Sequence, residues 1–408
     1  MLANSLIFLL SFTVPVIGLS FVISGFEITI TEAVALFVLL GGILSLLFKV
    51  LFSPGKSAVL RQPLLFPFAA FLAANFLSLL NHPDPLSGVY YIIRWILFAY
   101  ICYVLVPANL IDNHKRLKVA IYGLSLSSLI VAISGWLSLV GQDINDKFFR
   151  VGTISFWGTQ PFGSNHNLIA EFLVVGSYFW LAIKELSLNE RYRRACTVVY
   201  LFITAAAVLT FSRAAWISLA IQAVFYLLIK YRNSLKRQEG LILLIGLGIT
   251  IVMIPVFLRM AKLQEENISS TENRIILSEI AYQAWKDHPL IGNGAGRFTD
   301  FVASNIRFTA KYGDPIDSHG FLQKILLEGG VTGLLAWLFL LAAIARKAYL
   351  AIENFGYKAP WLLPLWTSAL GVMIFQIFNT SYYKGKTWLP IAIALIATYL
   401  AEKRYGKA

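Results

Sequence analysis

Two stretches place charge where an apolar chain would avoid it. In TFSRAAWISL, Thr210 to Leu219, Arg213 interrupts a long and otherwise almost wholly apolar run. In DSHGFLQKILLEGG, Asp317 to Gly330, His319 stands at the threshold of another such run. A guanidinium costs at least ~2.5 kcal/mol at the centre of a membrane helix and less near its end, so such a residue faces a polar cavity or a partner. No acid lies near Arg213 in sequence. The plainer reading is a snorkelling side chain or one bonded to a carbonyl. For His319, either Asp317 or Ser318 could cap the helix that begins there. A histidine in the first turn meets the positive end of the dipole, stays neutral near pH 7 and can take a proton. A satisfied interfacial histidine is the alternative. Gln323 follows one turn on, and Lys324 with Glu328 forms an i,i+4 pair read as structural.

Arg274 opens RIILSEIAYQAWKDHP, whose apolar residues Ile275, Ile276, Ile280, Ala284 and Trp285 make a helical stripe. A cation at a helix N-terminus opposes the dipole, so something else should hold it there. Arg94 lies inside a further apolar block, and His166, Asn167 and Glu171 enter another in PFGSNHNLIAEF. Arg297 and Arg307 read as solvated loop charges. The glycine run Gly292 to Gly296 is no dinucleotide fingerprint, because it follows a helix and has the wrong spacing. Asp314 and Asp317 are weak material for a metal site, and no metal or cofactor is expected. Arginine forks grip phosphates in two-point contacts. Several arginines beside one base suit transfer from a lipid diphosphate, whose leaving charge must be stabilised while a sugar hydroxyl is deprotonated.

The elements that must position these residues are membrane helices. The chain of 408 residues is 58% hydrophobic and 13% charged. Its apolar blocks have the ~17–25 residues that span a bilayer. Twelve helices are expected, at about 5–23, 30–50, 64–80, 88–106, 117–139, 167–183, 195–210, 213–230, 240–258, 319–345, 360–380 and 388–402. The first is read as an uncleaved span. Lys and Arg gather in the loops after even-numbered spans and are absent after spans one and three. That alternation puts both termini in the cytoplasm. Segment 259–318, inserted between helices nine and ten of a single transmembrane domain, and loop 141–165 then lie outside. The formal net charge of +13 has this same cause, and no nucleic-acid motif accompanies it. Cys102 and Cys196 offer neither a disulfide framework nor a metal pair.

FSRAAWISL, RIILSEIAYQAWKDHPLIGNGAGRF and DSHGFLQKILLEGGVTGLLAW, in that order, with GSNHNLIAEFLVV, resemble the signatures of the O-antigen ligase and O-antigen polymerase superfamily of bacterial envelope enzymes. The resemblance covers roughly residues 150–345. It implies an all-α polytopic glycosyltransferase of the GT-C type in the inner membrane, with a partly helical periplasmic loop over the active site. Its donor would be undecaprenyl-diphosphate-linked glycan and its acceptor lipid A–core or another glycan. By the same resemblance Arg213 and Arg274 engage the diphosphate, His319 is the base, and the reaction inverts without a metal. From their own positions in the chain Arg94 is expected to line the same cavity, with Asp317, Gln323, His166 and Asn167 as supporting residues. Neither arginine begins the eleven-residue step to glycine associated with some polymerases, which favours a ligase. A polymerase is the alternative within the class, and a secondary transporter the alternative outside it.

Overall fold

The structure is a computed structural model describing residues 2–23, 26–52, 60–143, 149–156, 158–232, 268–380 and 384–406. The expected span at 240–258 lies outside the described residues, as does the start of the 259–318 segment.

The first expected span is shorter than its apolar run. Helix α1 covers only Leu2–Thr13. Pro15 lacks an amide N–H and disfavours helical geometry in Val14, so the chain turns out of the helix there. It continues as an antiparallel hairpin, β1 Ser20–Ile23 and β2 Phe26–Thr29, with Ser20 opposite Thr29. The architecture is therefore mostly helical with one small ribbon. Then come α2 Ile30–Phe52, α3 Leu65–Ser78, α4 Pro85–Leu110, α5 His114–Leu137, α6 His166–Leu186, α7 Glu190–Leu209 and α8 Arg213–Lys230. After the undescribed stretch follow α9 Ile268–Asp287, two short helices α10 Phe298–Ala303 and α11 Ile306–Tyr312, then α12 Phe321–Phe355, α13 Leu362–Gln376 and α14 Gly385–Tyr405.

Six described helices, α4 to α8 and α12, are long and apolar enough to cross a bilayer. Others, such as α1 and α13, are apolar but shorter, so the twelve expected spans are not all matched. The chain has the character of a polytopic membrane protein. On α8, Ile217, Ile221, Val224 and Leu228 are all exposed. Spaced at i, i+4, i+7 and i+11, they form one outward apolar stripe of the kind a lipid-facing helix presents.

Helices α9 to α11 form a cap with its own small core: Ile276, Leu277, Ile280, Ala284, Phe298 and Phe308, closed by Leu327 of α12. The expected stripe is thus half right. Ile276, Ile280 and Ala284 are buried, but Ile275 is exposed and Trp285 lies at the margin, its indole N–H donating to the Pro289 carbonyl at 3.0 Å. The buried face runs through Leu277 and Ala281 instead.

The glycine run joins cap to bundle. At Gly330 the backbone of α12 leaves helical geometry, with φ 61° and ψ −157°. The glycine loop fills the break. Asn293 and Gly294 amides donate to the carbonyls of Leu327 and Glu328 at 2.9 and 3.0 Å, while the Val331 and Thr332 amides donate to Pro289 and Leu290. These bonds satisfy backbone groups that the broken helix would leave unpaired. A Cβ on Gly292 would lie 2.3 Å from the Glu328 carbonyl oxygen, and one on Gly330 2.5 Å from that of Leu290. Only glycine allows this approach.

Candidate active site

Arg213 owes its place to the turn between α7 and α8. Phe211 adopts a left-handed conformation, φ 55°. Ser212 then caps α8, its hydroxyl accepting from the Ala215 amide, and the Trp216 indole N–H clamps back onto the Val208 carbonyl at 2.9 Å. Arg213 is consequently the first residue of its helix and exposed.

Arg274 was expected to open its helix, but α9 starts at Ile268 and Arg274 lies well inside it. The dipole argument therefore does not apply. What marks Arg274 is charge. Its proton affinity is pressed below the ordinary arginine value by burial and by the Arg213 guanidinium nearby. Its Nε is buried without a hydrogen-bond partner. Among the described residues, neither guanidinium has a carboxylate partner. Two guanidinium groups that feel each other's charge, with no carboxylate on either among the described residues, suit a bound anion.

His319 completes the cluster, though not from a helix turn. Helix α12 begins at Phe321 behind Gly320, and neither Asp317 nor Ser318 caps it. Instead the Ser318 hydroxyl donates to the Gly320 carbonyl at 2.9 Å, and Asp317 accepts from the Ser318 amide at 2.8 Å. The imidazole is kept below its usual proton affinity chiefly by burial, then by Arg274, against an opposing pull from Asp317. A base that is neutral at pH 7 results, with burial and Arg274 as causes. Gln323 links α12 to α9 by donating to Ser278, whose hydroxyl in turn donates to the Arg274 carbonyl. It is thus placed to fix the backbone that carries Arg274.

His166, at the start of α6, lies in the field of Arg274 and of Arg150. Arg150, itself lowered by burial, was not singled out from the sequence. Asn167 makes a backbone contact in the Asn165 cap at 2.8 Å. Arg297 is 3.5 Å from Asp300, and Arg307 is 3.2 Å from Glu279.

Arg94 stands apart from the arginine pair. It bonds Glu32 at 2.8 Å and lines a cavity of about 480 Å³ that Arg213 and Arg274 do not reach. Asp317 also lines this cavity, bonded at 2.7 and 2.8 Å to Lys324, which is also 3.7 Å from Glu328. The i,i+4 pair is thus part of a triad, and Glu328 also accepts from the Phe298 amide at 3.2 Å. Lys384 and Lys386 also line the cavity. Burial first, then Lys386, lowers Lys384 to about 8. Lys386 pairs with Glu171 of α6, which also accepts from Gln376 at 2.8 Å and Asn379 at 2.9 Å. The sequence held a signal for both lysines: they fall in a loop assigned to the outer face, where the charge bias disfavours them. Glu32 gave no comparable signal. No metal-binding group of His, Cys, Asp and Glu occurs among the described residues.

Residues 198–338, a third of the chain, match a family model described as O-antigen ligase. The matched stretch contains Arg213, Arg274, His319 and the glycine splice. It supports the O-antigen ligase and polymerase superfamily for this chain, and with it a ligase- or polymerase-like function. No curated protein matches the chain significantly.

Proposed function

We propose that this protein is an O-antigen ligase-type glycosyltransferase, moving a glycan from undecaprenyl diphosphate to a sugar hydroxyl of lipid A–core at the periplasmic face of the inner membrane. The observation that carries the reading is that Arg213 and Arg274 feel each other's charge, that neither has a carboxylate partner among the described residues, and that Arg274 also acts on a buried His319. In the proposed reaction His319 takes the acceptor hydroxyl proton. The freed oxygen attacks the anomeric carbon from the face opposite the diphosphate. The carbon–oxygen bond to the diphosphate breaks, its electron pair stays with the phosphate, and the anomeric configuration inverts. Arg213 and Arg274 stabilise the anion as charge develops, where donors of this kind are most effective. The lipid tail remains in the bilayer, and both termini lie in the cytoplasm on the charge alternation.

The reading is tested by reconstituting the chain in proteoliposomes with undecaprenyl-diphosphate glycan and lipid A–core. Glycan attached to lipid A–core supports a ligase. Elongation of glycan on the carrier, with lipid A–core untouched, would make the protein a polymerase. Turnover that survives in His319→Ala would remove the assigned base.

A further inference from the structure

Spacing pairs Lys324 with Glu328, yet its ammonium is bonded first to Asp317, at 2.7 and 2.8 Å from the two carboxylate oxygens, with Glu328 at 3.7 Å. The same ammonium lies 5.5 Å from the centre of the Tyr91 ring. Lys324 is 4% exposed and Asp317 29%, so the lysine is the buried member of the pair. Taking an ammonium out of water is costly even when it is paired, so this lysine calls for a reason. Asp317 stands two residues before His319. The loop is held around that histidine. The Thr380 hydroxyl donates to the Ser318 carbonyl, and a Cβ on Gly320 would lie 2.8 Å from the Ile377 carbonyl oxygen at the end of α13. Lys324 adds a further hold, at Asp317.

Three roles can be weighed for Lys324. A snorkelling lysine would carry its charge to water, and this one is buried. A lysine that grips phosphate would present its donors to the ligand, and this one faces two carboxylates and an aromatic ring. Control of the neighbouring acid fits. A bare carboxylate beside an imidazole favours the protonated form, which cannot act as a base. From α9 the Arg274 guanidinium opposes protonation of His319, and from its own loop Asp317 favours it. Asp317 also acts on Lys384, in the segment leading into α14. Glu328 is engaged by the cap, accepting from the Phe298 amide at 3.2 Å. Lys324 therefore reaches the imidazole through Asp317.

We infer that Lys324 is a positioning residue for His319: it pins the loop at Asp317 and offsets the Asp317 carboxylate, leaving the imidazole free to take a proton. The charge control stands on the geometry, whereas its use in catalysis rests on the proposed function. The test is an NMR titration of full-length protein in nanodiscs, carrying 13C-labelled histidine. The chain has five histidines, and the His319 signal is the one lost in His319→Gln. Lys324→Met should raise the His319 midpoint by about half a pH unit or more, and Asp317→Asn should lower it. Lys324→Met/Asp317→Asn should return it to within about 0.3 unit of wild type, because both charges are gone. A merely structural lysine would not give these opposite signs or their cancellation. An unmoved or lowered midpoint in Lys324→Met overturns the inference, and so does a double variant shifted as far as Lys324→Met. Should Lys324→Met fail to fold, Asp317→Asn decides: a fall supports the inference and a rise or no change overturns it. The titration needs no turnover, so the expected pattern in a protein that transfers no glycan upholds the charge control and removes the proposed function alone.

Discussion

Replacing Arg274 with methionine should separate activity from stability. Methionine keeps much of the unbranched aliphatic length and removes the fork. With substrate bound, the guanidinium supplies charge-assisted hydrogen bonds worth ~1.5–3 kcal/mol each. Loss of a donor aimed at developing anionic charge lowers turnover by ~10²–10³-fold, or ~2.7–4 kcal/mol. Without substrate the balance reverses. Arg274 then faces Arg213 with no carboxylate partner among the described residues, and its Nε is buried without a hydrogen bond. Removing it relieves both penalties, so the melting temperature of the substrate-free protein should hold or rise. The assay pairs initial rates of glycan transfer in proteoliposomes with thermal unfolding of the same preparation in detergent. Pyrophosphate should stabilise the wild type and not the variant. A variant that melts several degrees lower, or keeps its rate within about threefold, would refute the idea that Arg274 waits for an anion.

Acidity should act through His319. The base works deprotonated, and burial with Arg274 keeps it below the ordinary value of 6.5. The rate should therefore be level around pH 7–8 and fall on acidification with a midpoint below 6.5, moving upward in Arg274→Met; a midpoint above about 7 in wild type would contradict this. Gly292→Ala should unfold the splice between cap and bundle, since its Cβ meets the Glu328 carbonyl at 2.3 Å and its φ is +75°. Strain of ~1–3 kcal/mol is the least expected, seen as a lower melting temperature, and an unchanged one would deny the splice its role. Lys386→Met should destabilise by ~3–5 kcal/mol by leaving the buried Glu171 carboxylate without the Lys386 ammonium, and Glu171→Gln in the same chain should restore most of it; equal loss in the double variant would argue that packing alone matters there.

The parts legible in the sequence were those governed by local rules. Hydropathy marked most of the described helices, because a segment in lipid must satisfy its own backbone. Arg213 and His319 stood out because each breaks an apolar run. Arg274 was singled out for a reason that fails: it looked like the first residue of a helix that in fact begins at Ile268. The break at Gly330 was invisible because the bonds that repair it come from residues forty positions earlier in the chain. Arg94 has an acidic partner that its own stretch of sequence does not show. Its partner, Glu32, lies 62 residues away on another helix, and no local pattern reports that distance. Lys384 and Lys386 lie in a loop expected on the outer face, so the charge alternation does not account for them, and that departure was their one signal.

Arg213 and Arg274 are proposed to hold the diphosphate of a lipid carrier together. Equilibrium binding of undecaprenyl diphosphate and of undecaprenol to the protein in nanodiscs tests it most directly. The wild type should prefer the diphosphate by about two orders of magnitude, and Arg213→Met/Arg274→Met should bind the two lipids alike. Equal affinity of the wild type for both lipids, or a preference that survives in the double variant, would contradict the account.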